Sequence, residues 1–193
     1  MAKTAIHLSG DKEADALLSK EPLALLIGMV LDQQIPLERA FWAPAELSRR
    51  LGKPLNAAEI AAMDPEKFAE LFKERPALHR FPGAMAARVQ EVCRIVADEY
   101  GGKASALWTK LPDGEMLVAR LASLPGFGKQ KARIFAALLG KQLGIQPEGW
   151  RGATTPFGED GSYLSVADIT GPDSLAKVRA HKQAMKAKAR AGA

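Results

Sequence analysis

The residues best suited to chemistry lie in a short glycine-rich segment, Leu124–Gly128. Pro125 fixes φ at about −65°, and Gly126 can adopt the positive φ that the next position of a tight turn needs. Gly128 allows another molecule to approach the backbone closely where a helix begins. Because N–H groups at a helix start attract anions, the segment predicts a helix-hairpin-helix element that binds a nucleic-acid backbone. An ordinary turn between two packed helices is the alternative.

Apolar residues recur at helical spacing on both sides of this segment, over 113–122 and 129–139. The same spacing predicts helices elsewhere, at 11–19, 22–31, 57–63, 65–73, 84–100 and 173–190, and one from about 36 that Pro44 kinks or splits. Residues 74–83 and 142–161 lack periodicity and are expected to be loops. No strand pattern is present, so the sequence predicts an all-α fold.

The order of these helices predicts two helical lobes. We expect residues of about 35–125 to form a middle lobe, and about 1–34 with 126–193 to form the second. The hairpin at 124–128 then lies late in the chain, and a basic tail covers about 174–193. A cleft between two lobes is the natural place for a site.

The composition is that of a folded soluble protein, with 193 residues, 47% hydrophobic and 25% charged. The longest apolar run, Leu23–Leu31, is too short to span a bilayer, and no signal segment opens the chain. We expect a cytoplasmic protein with no membrane partner. The single cysteine, Cys93, excludes an intramolecular disulfide and a Cys-ligated zinc or iron–sulfur site, and is expected to be a core residue.

The net charge of +5 indicates an acidic partner, but its distribution is uneven. After Asp173 the chain has six basic residues and no acid, so the rest of the chain carries +5 − 6 = −1. The tail is either an electrostatic anchor or a solvated helix that frays. We favour the solvated helix unless the tail packs beside the hairpin.

Three segments in order resemble the helix-hairpin-helix (HhH-GPD) DNA glycosylases of base-excision repair, over about Leu25–Trp150. They are the apolar helix Leu25–Gln34 that ends in glutamine, the helix start Ala84–Val89, and the turn Leu124–Gly128. The resemblance implies an all-α, two-lobed fold with the site in the cleft, and duplex DNA as the partner.

The resemblance assigns DNA contacts to two turns. Glutamine in the first turn helps fill the gap that a rotated nucleotide leaves; Gln34 matches it, and Gln33 and Asp32 adjoin it. The alternative is that the glutamines only cap a helix. In the hairpin, the resemblance assigns DNA binding to Gly126, Phe127, Gly128, Lys129 and Lys131, and a Na⁺ or K⁺ ion to the carbonyls of Ala122, Leu124 and Phe127.

The catalytic positions depart from the family pattern. Members that also cleave the strand have a lysine where this chain has Gln130, and glutamine cannot form the imine that strand cleavage needs. The essential aspartate, 18 residues further on, is replaced by Glu148. We expect Glu148 to be catalytic, with Asp32 in reserve and Asp160 and Asp168 as more remote candidates; an inactive site is the alternative.

Aromatic residues near these positions could contact an extruded base. Trp42 and Phe41 follow the glutamine turn, and Trp150 follows Glu148, although at helical spacing such residues are more often core. His79 could hydrogen-bond a base edge, but we favour a surface role for it.

The sequence therefore predicts a monomeric, monofunctional DNA glycosylase that removes a damaged or mismatched base from duplex DNA. It would need no cofactor for catalysis and no iron–sulfur cluster, and in a bacterium it would associate with the nucleoid. The alternatives are a catalytically silent protein of the same fold that binds DNA or a lesion, and a helical protein–protein adaptor.

Overall fold

The computed structural model describes residues 5–191. Residues 1–4 and 192–193, which the expected second lobe and basic tail include, lie outside the described residues. Over the described range the chain forms helices and no strand; an isolated bridge joins Asp113 to Glu148. The predicted all-α fold is confirmed.

Ten α-helices follow one another in the described range. They are α1 (Lys12–Lys20), α2 (Pro22–Leu31), α3 (Leu37–Leu51), α4 (Ala57–Ala62), α5 (Pro65–Lys73), α6 (Pro82–Glu99), α7 (Gly114–Ala122), α8 (Lys129–Leu143), α9 (Trp150–Ala153) and α10 (Pro172–Ala191). Two short 3₁₀ helices lie at Ala104–Leu107 and Val166–Asp168.

Most helix boundaries agree with the sequence prediction to within two residues. Asp11, Asn56 and Asp64 cap α1, α4 and α5 with their side chains, as short polar residues at helix starts commonly do. Helix α3 continues through Pro44, which excludes the split, one of the two alternatives expected there. One expectation was wrong, because the short helix α9 lies within the expected loop 142–161.

The chain divides into two compact units. The N-terminal unit contains residues 8–110 and 123–127, and the C-terminal unit contains the residues up to 7, 111–122 and those from 128 onward. These boundaries differ from those expected for the lobes, because α1 and α2 pack on α3 and so group 8–34 with the residues that follow. The expected division into lobes stays a prediction.

Helix α2 is the centre of the N-terminal unit, because every residue after Pro22 in it is buried. Gly28 allows α3 to pack closely: a Cβ at this position would lie 2.7 Å from the Phe41 ring. Phe41 is thereby a core residue. Helix α6 packs on α4 and α5 and buries Cys93, and this burial raises the pKa of the thiol to about 12. Cys93 is a core residue and not a nucleophile, as expected.

In the C-terminal unit, α7, α8 and α9 pack on one another, and α10 packs beside the Val166–Asp168 turn. Every helix within residues 5–191 is too short or too polar to cross a bilayer.

An ion-pair cluster anchors the loop between α5 and α6. Glu46 accepts hydrogen bonds from Arg49 and Arg50, and Arg50 also donates to the carbonyls of Leu71, Glu74 and Pro76. The hydrogen bond from Arg49 and the bond and charge of Arg50 outweigh desolvation and lower the Glu46 pKa from 4.5 to about 2. The charged carboxylate therefore stabilises the fold.

Because the folded-state pKa of Glu46 is depressed, its stabilisation is complete above the unfolded pKa and is lost as pH falls from 4.5 to about 2. We expect Glu46→Gln to lower the free energy of unfolding at pH 7. The difference in stability between wild type and variant should shrink as pH falls from 4.5 to about 2. Urea unfolding at a series of pH values measures it. The exposed pair of Glu70 and Lys73 supplies the control, since Glu70→Gln should change stability by less than about 1 kcal/mol. A wild-type advantage that does not vary with pH contradicts this account.

Candidate nucleic-acid interface and active site

The segment 123–128 forms a turn between α7 and α8, which pack on each other. Gly126 has φ of 81°, a left-handed conformation that disfavours other residues, and the Phe127 N–H donates to the Leu124 carbonyl at 3.0 Å. The two packed helices and the tight turn expected for a helix-hairpin-helix element are present.

The fold requires glycine at one of the two glycine positions of the turn but not at the other. A Cβ on Gly126 would lie 2.4 Å from Cδ of Arg88, so the fold itself requires glycine there. Gly128 has φ of −85°, which any residue adopts, and a Cβ on it would meet no atom within 4 Å. The fold therefore leaves the space beside Gly128 open.

Helix α8 begins at this open position with no side-chain cap and no acidic residue in its first turn. Its first N–H groups lack intrahelical acceptors, which makes this end attractive to an anion. Lys129 and Gln130 are exposed and Lys131 is half-buried. Arg133, one turn after Lys129, is also exposed and was missed in the sequence analysis, although its i+4 spacing is visible there.

The two glutamines after α2 have different environments. The side chain of Gln33 donates from Nε2 to the Val30 carbonyl at 2.8 Å and so caps the helix, as the alternative reading of the sequence proposed. Gln34 is exposed and has φ of 56°. A left-handed conformation in a residue other than glycine is unfavourable, and such strain tends to occur at functional sites.

The backbone and side chain of Gln33 join three segments of the N-terminal unit. Arg88 donates from Nη1 to Gln33 Oε1 at 3.2 Å, and His79 Nε2 lies 2.9 Å from the Gln33 carbonyl oxygen. The Arg88 stem also packs against Gly126. We call Gln33, His79, Arg88 and Gly126 the Gln33 network. It ties the glutamine turn, the 74–81 loop and the hairpin turn together.

The hydrogen bonds of His79 define its tautomer. The Phe81 N–H donates to Nδ1 at 3.0 Å, so Nε2 carries the proton that is donated to Gln33. His79 is 2% exposed, so the expected surface role was wrong. Because both ring nitrogens are occupied, these contacts do not support a bond to a base edge, which stays a prediction.

Arg88 is a second functional candidate, after Arg133, that the sequence analysis did not single out. It was part of the helix start Ala84–Val89, but its partners are distant in sequence and follow no periodicity. Only the fold reveals that one side chain contacts both the glutamine turn and the hairpin turn.

Aromatic side chains lie close to this network in sequence. Phe81 is 43% exposed, with the Arg80 guanidinium over its ring at 4.8 Å. Trp42 is half-buried beneath the Arg39 guanidinium, also at 4.8 Å, and Arg39 donates to the carbonyl of Ala77. Base contact by Trp42 stays a prediction.

Glu148 lies in the C-terminal unit, where the main chain fixes its position. Its carbonyl accepts a hydrogen bond from the Gly114 N–H at 2.7 Å, and Gly149 turns the chain with φ of 66°. The side chain is exposed, and within the described residues its carboxylate has no hydrogen-bond or ion-pair partner. Its neighbour across the bridge, Asp113, caps α7 through the Met116 N–H at 2.7 Å.

Trp150 is 7% exposed and packs in the core of the C-terminal unit. Glycines make room for it: a Cβ on Gly140 would lie 2.4 Å from its ring, and one on Gly114 would lie 2.4 Å from its Cα. Arg151 lies over the ring at 4.7 Å. These contacts account for Trp150 without a base, and its role in a base pocket stays a prediction that they do not support.

The other candidate carboxylates differ in how they are used. Asp168 pairs with Lys141 at 2.6 Å and also accepts from the N–H groups of Leu164 and Ser165, so it stabilises the fold. Asp160 pairs with Arg151 at 2.9 Å. Asp32 is half-buried at the end of α2 in the N-terminal unit and stays the reserve candidate.

The proposed monovalent-cation ligands are main-chain carbonyls of the hairpin. The Leu124 oxygen accepts from the Phe127 N–H, and a carbonyl oxygen has a second lone pair, so it remains able to coordinate an ion. No cluster of acidic, histidine or cysteine side chains suited to a metal occurs in the described part of the chain. Cation binding by Ala122, Leu124 and Phe127 stays a prediction.

Comparison with known proteins gives one family. Residues 27–190 match HhH-GPD, described as "HhH-GPD superfamily base excision DNA repair protein". No curated protein matches the chain. The matched range includes the glutamine turn, the Arg88 helix, the hairpin and Glu148.

Substitutions at the two hairpin glycines distinguish an effect on folding from an effect on DNA binding. Gly126→Ala forces a left-handed alanine and a clash with Arg88, so we expect the free energy of unfolding to fall by about 1–2 kcal/mol or more. Gly128→Ala should stay within about 1 kcal/mol of wild type, the size of an N-cap effect, because its Cβ meets open space.

Gly128→Ala should nevertheless weaken duplex DNA binding by about tenfold, since the added methyl occupies the space where a phosphate would approach. Urea unfolding and fluorescence anisotropy with a labelled duplex measure the two effects. Unchanged DNA affinity for Gly128→Ala would falsify the assignment of the open space to DNA.

Gln34 and Lys110 are the described residues other than glycine with positive φ, at 56° and 55°. We expect both Gln34→Gly and Lys110→Gly to raise the free energy of unfolding by up to about 1 kcal/mol, because glycine removes the left-handed strain. Only Gln34→Gly should lose preference for DNA with an abasic-site analogue over undamaged DNA. If the two variants keep the same preference as wild type, Gln34 does not fill the gap.

Proposed function

Because the chain belongs to the HhH-GPD superfamily of base excision DNA repair proteins, we propose that it is a monofunctional DNA glycosylase. It binds duplex DNA that contains a damaged or mismatched base, rotates that nucleotide out of the helix, and hydrolyses its N-glycosidic bond. The observation that carries the proposal is the Gln33 network, which links the two DNA-contacting turns expected for this family in one unit.

The first step is binding of the phosphate backbone at the start of α8. The open space beside Gly128 admits a phosphate, and the uncapped N–H groups and Lys129 supply the positive potential. Lys131 and Arg133 extend this potential along the first turns of α8. A monovalent cation on the hairpin carbonyls would add charge at the same place.

The second step is filling of the gap in the base stack. Gln34 is exposed and held in a left-handed conformation, so its side chain is available while its backbone is fixed. Gln33 next to it is committed to Val30 and Arg88 and cannot leave without breaking both bonds. This division favours Gln34 as the residue that enters the duplex.

The third step is hydrolysis. As the C1′–N bond breaks, positive charge develops on the sugar, and the Glu148 carboxylate stabilises it. Water adds its oxygen to C1′ and loses a proton to Glu148, while the base leaves with the bond electrons and takes up a proton from solvent. Glu148 then releases its proton to solvent, which restores the carboxylate. The products are an abasic site and a free base. Glu148 lacks a competing partner among the described residues, which leaves its carboxylate free for this role.

The strand stays intact in this mechanism. Gln130 stands at the position where strand-cleaving members have lysine, and an amide cannot form a Schiff base. The exposed Lys129 and the half-buried Lys131 lie about 100° away around the helix and do not take the same direction.

A catalytically silent protein that binds DNA or a lesion is the second candidate. The exposure of Glu148 favours it, since within the described residues that carboxylate has no hydrogen-bond or ion-pair partner to orient it. Such a protein binds DNA but releases no base, and in its lesion-sensing version it prefers abasic DNA. Equal affinity for intact and abasic DNA contradicts this version. For either candidate we expect a cytoplasmic monomer.

We expect wild-type protein to release a base from at least one duplex in a panel carrying uracil, alkylated, oxidised or mismatched bases. Strand breaks should appear only after alkali, which reveals abasic sites. Glu148→Gln should reduce the rate by about 100-fold or more, the scale of losing a catalytic carboxylate, without loss of stability.

Asp113→Asn is the matched control, because asparagine preserves the cap of α7 and removes the neighbouring carboxylate. It should keep wild-type activity. Activity lost in Asp113→Asn but kept in Glu148→Gln assigns the chemistry to Asp113. Release of no base from any duplex, with DNA binding retained, favours the silent protein. Strand breaks without alkali contradict the monofunctional mechanism.

A further inference from the structure

The excess of positive over negative charge in this protein comes from one helix. The basic residues after Asp173 are Lys177, Arg179, Lys182, Lys186, Lys188 and Arg190, and they outnumber the net charge of +5 by one. The remainder of the chain is therefore slightly acidic, and this segment supplies the net charge that attracts a polyanion at long range.

The helix that carries these charges continues beyond its packed part. Helix α10 runs over Pro172–Ala191, and its last buried side chain is Val178. His181 is half-buried, and the other side chains described after Val178 are exposed. The segment after Val178 is about 20 Å long at 1.5 Å per residue. This length presents charge to solvent without contributing to the core.

Two lysines of this exposed segment have described side chains, Lys182 and Lys188. Lys177, in the packed part, donates to the Tyr163 hydroxyl at 3.1 Å and lies over its ring. Lys182 and Lys188 are exposed, and neither forms an ion pair within residues 5–191 whose side chains are described. Their charges are available to a partner.

The composition of the helix identifies the class of partner. A helix that binds a membrane surface needs an apolar face, but Met185 is the one large apolar side chain exposed in the described part of α10. Closely spaced cations with no apolar face suit a backbone of regularly spaced phosphates. Duplex DNA has this chemistry.

We propose that the exposed part of α10 binds the phosphate backbone of duplex DNA, outside the lesion site, and supplies most of the affinity for undamaged DNA. This inference rests on the proposed function. Gln34 then recognises the lesion and the hairpin binds the backbone beside it, whereas α10 adds the larger share of the binding that is independent of sequence and damage. Loss of its charge weakens binding to damaged and undamaged DNA by the same factor.

The test compares the full-length double variant Lys182→Gln/Lys188→Gln with Lys67→Gln/Lys103→Gln, which removes the same charge at exposed positions of the N-terminal unit. Affinity for an undamaged duplex and for a duplex with an abasic-site analogue is measured from about 50 to about 300 mM KCl. In this range counterion release makes the affinity depend strongly on salt. Circular dichroism verifies that helix content is unchanged.

We expect the α10 variant to lower the slope of log Kd against log salt by about 2, because each phosphate that a cation neutralises adds about 0.9 to that slope. Near 100 mM salt both duplexes should bind at least about tenfold more weakly, while the control variant keeps the wild-type slope. A slope that the α10 variant leaves unchanged, or an equal change in both variants, overturns the inference.

Failure of this inference and of the proposed function can be told apart. If wild-type protein binds both duplexes and the α10 variant has the same slope of log Kd against log salt, only the role of α10 is overturned. Wild-type protein that binds neither duplex overturns both. Binding to anionic phosphatidylserine vesicles that the α10 variant loses, with DNA binding unaltered, assigns the helix to a membrane surface and also overturns the inference.

Discussion

The hydrogen bond from Arg88 to Gln33 is the interaction on which the candidate DNA interface depends. The same arginine packs against Gly126, so the hairpin determines where the Arg88 side chain lies. The Arg88 guanidinium then orients the Gln33 amide. With His79 bonded to the Gln33 carbonyl, both the backbone and the side chain of this residue are held by hydrogen bonds. A rigid turn of this kind allows the neighbouring Gln34 to keep an unfavourable left-handed conformation, because the surrounding contacts determine its backbone. The residue expected to enter the duplex, Gln34, is therefore the one whose left-handed backbone lowers the stability of the fold.

Close packing at glycine supports both units. Phe41 contacts α2 at Gly28 in the N-terminal unit, and Trp150 contacts Gly114 and Gly140 in the C-terminal unit. These aromatic side chains are core residues for that reason, and Trp150 also fixes the chain just after Glu148. The position of the candidate catalytic carboxylate therefore rests on packing, while the carboxylate itself stays exposed to solvent and accessible to a substrate.

Sequence reasoning predicted the helices well because apolar spacing and short polar caps are local signals. It placed the hairpin turn correctly for the same reason, since Pro125 and Gly126 determine the backbone by their own chemistry. It missed the network because Arg88 and His79 contact a residue about 50 positions away, and no periodicity encodes such a contact. It assigned His79 to the surface because a polar loop is usually exposed, whereas here the Phe81 N–H and the Gln33 carbonyl satisfy both ring nitrogens in a buried position.

Hydrogen–deuterium exchange of the protein on duplex DNA tests the central claim most directly. The two turns have separate roles in this account: the hairpin binds any phosphate backbone, and the glutamine turn engages only where a nucleotide has left the stack. An undamaged duplex should therefore protect amides of 123–133 but not those of 30–36, and a duplex with an abasic-site analogue should protect both segments. Equal protection of 30–36 by the two duplexes, or protection of neither segment, contradicts the account.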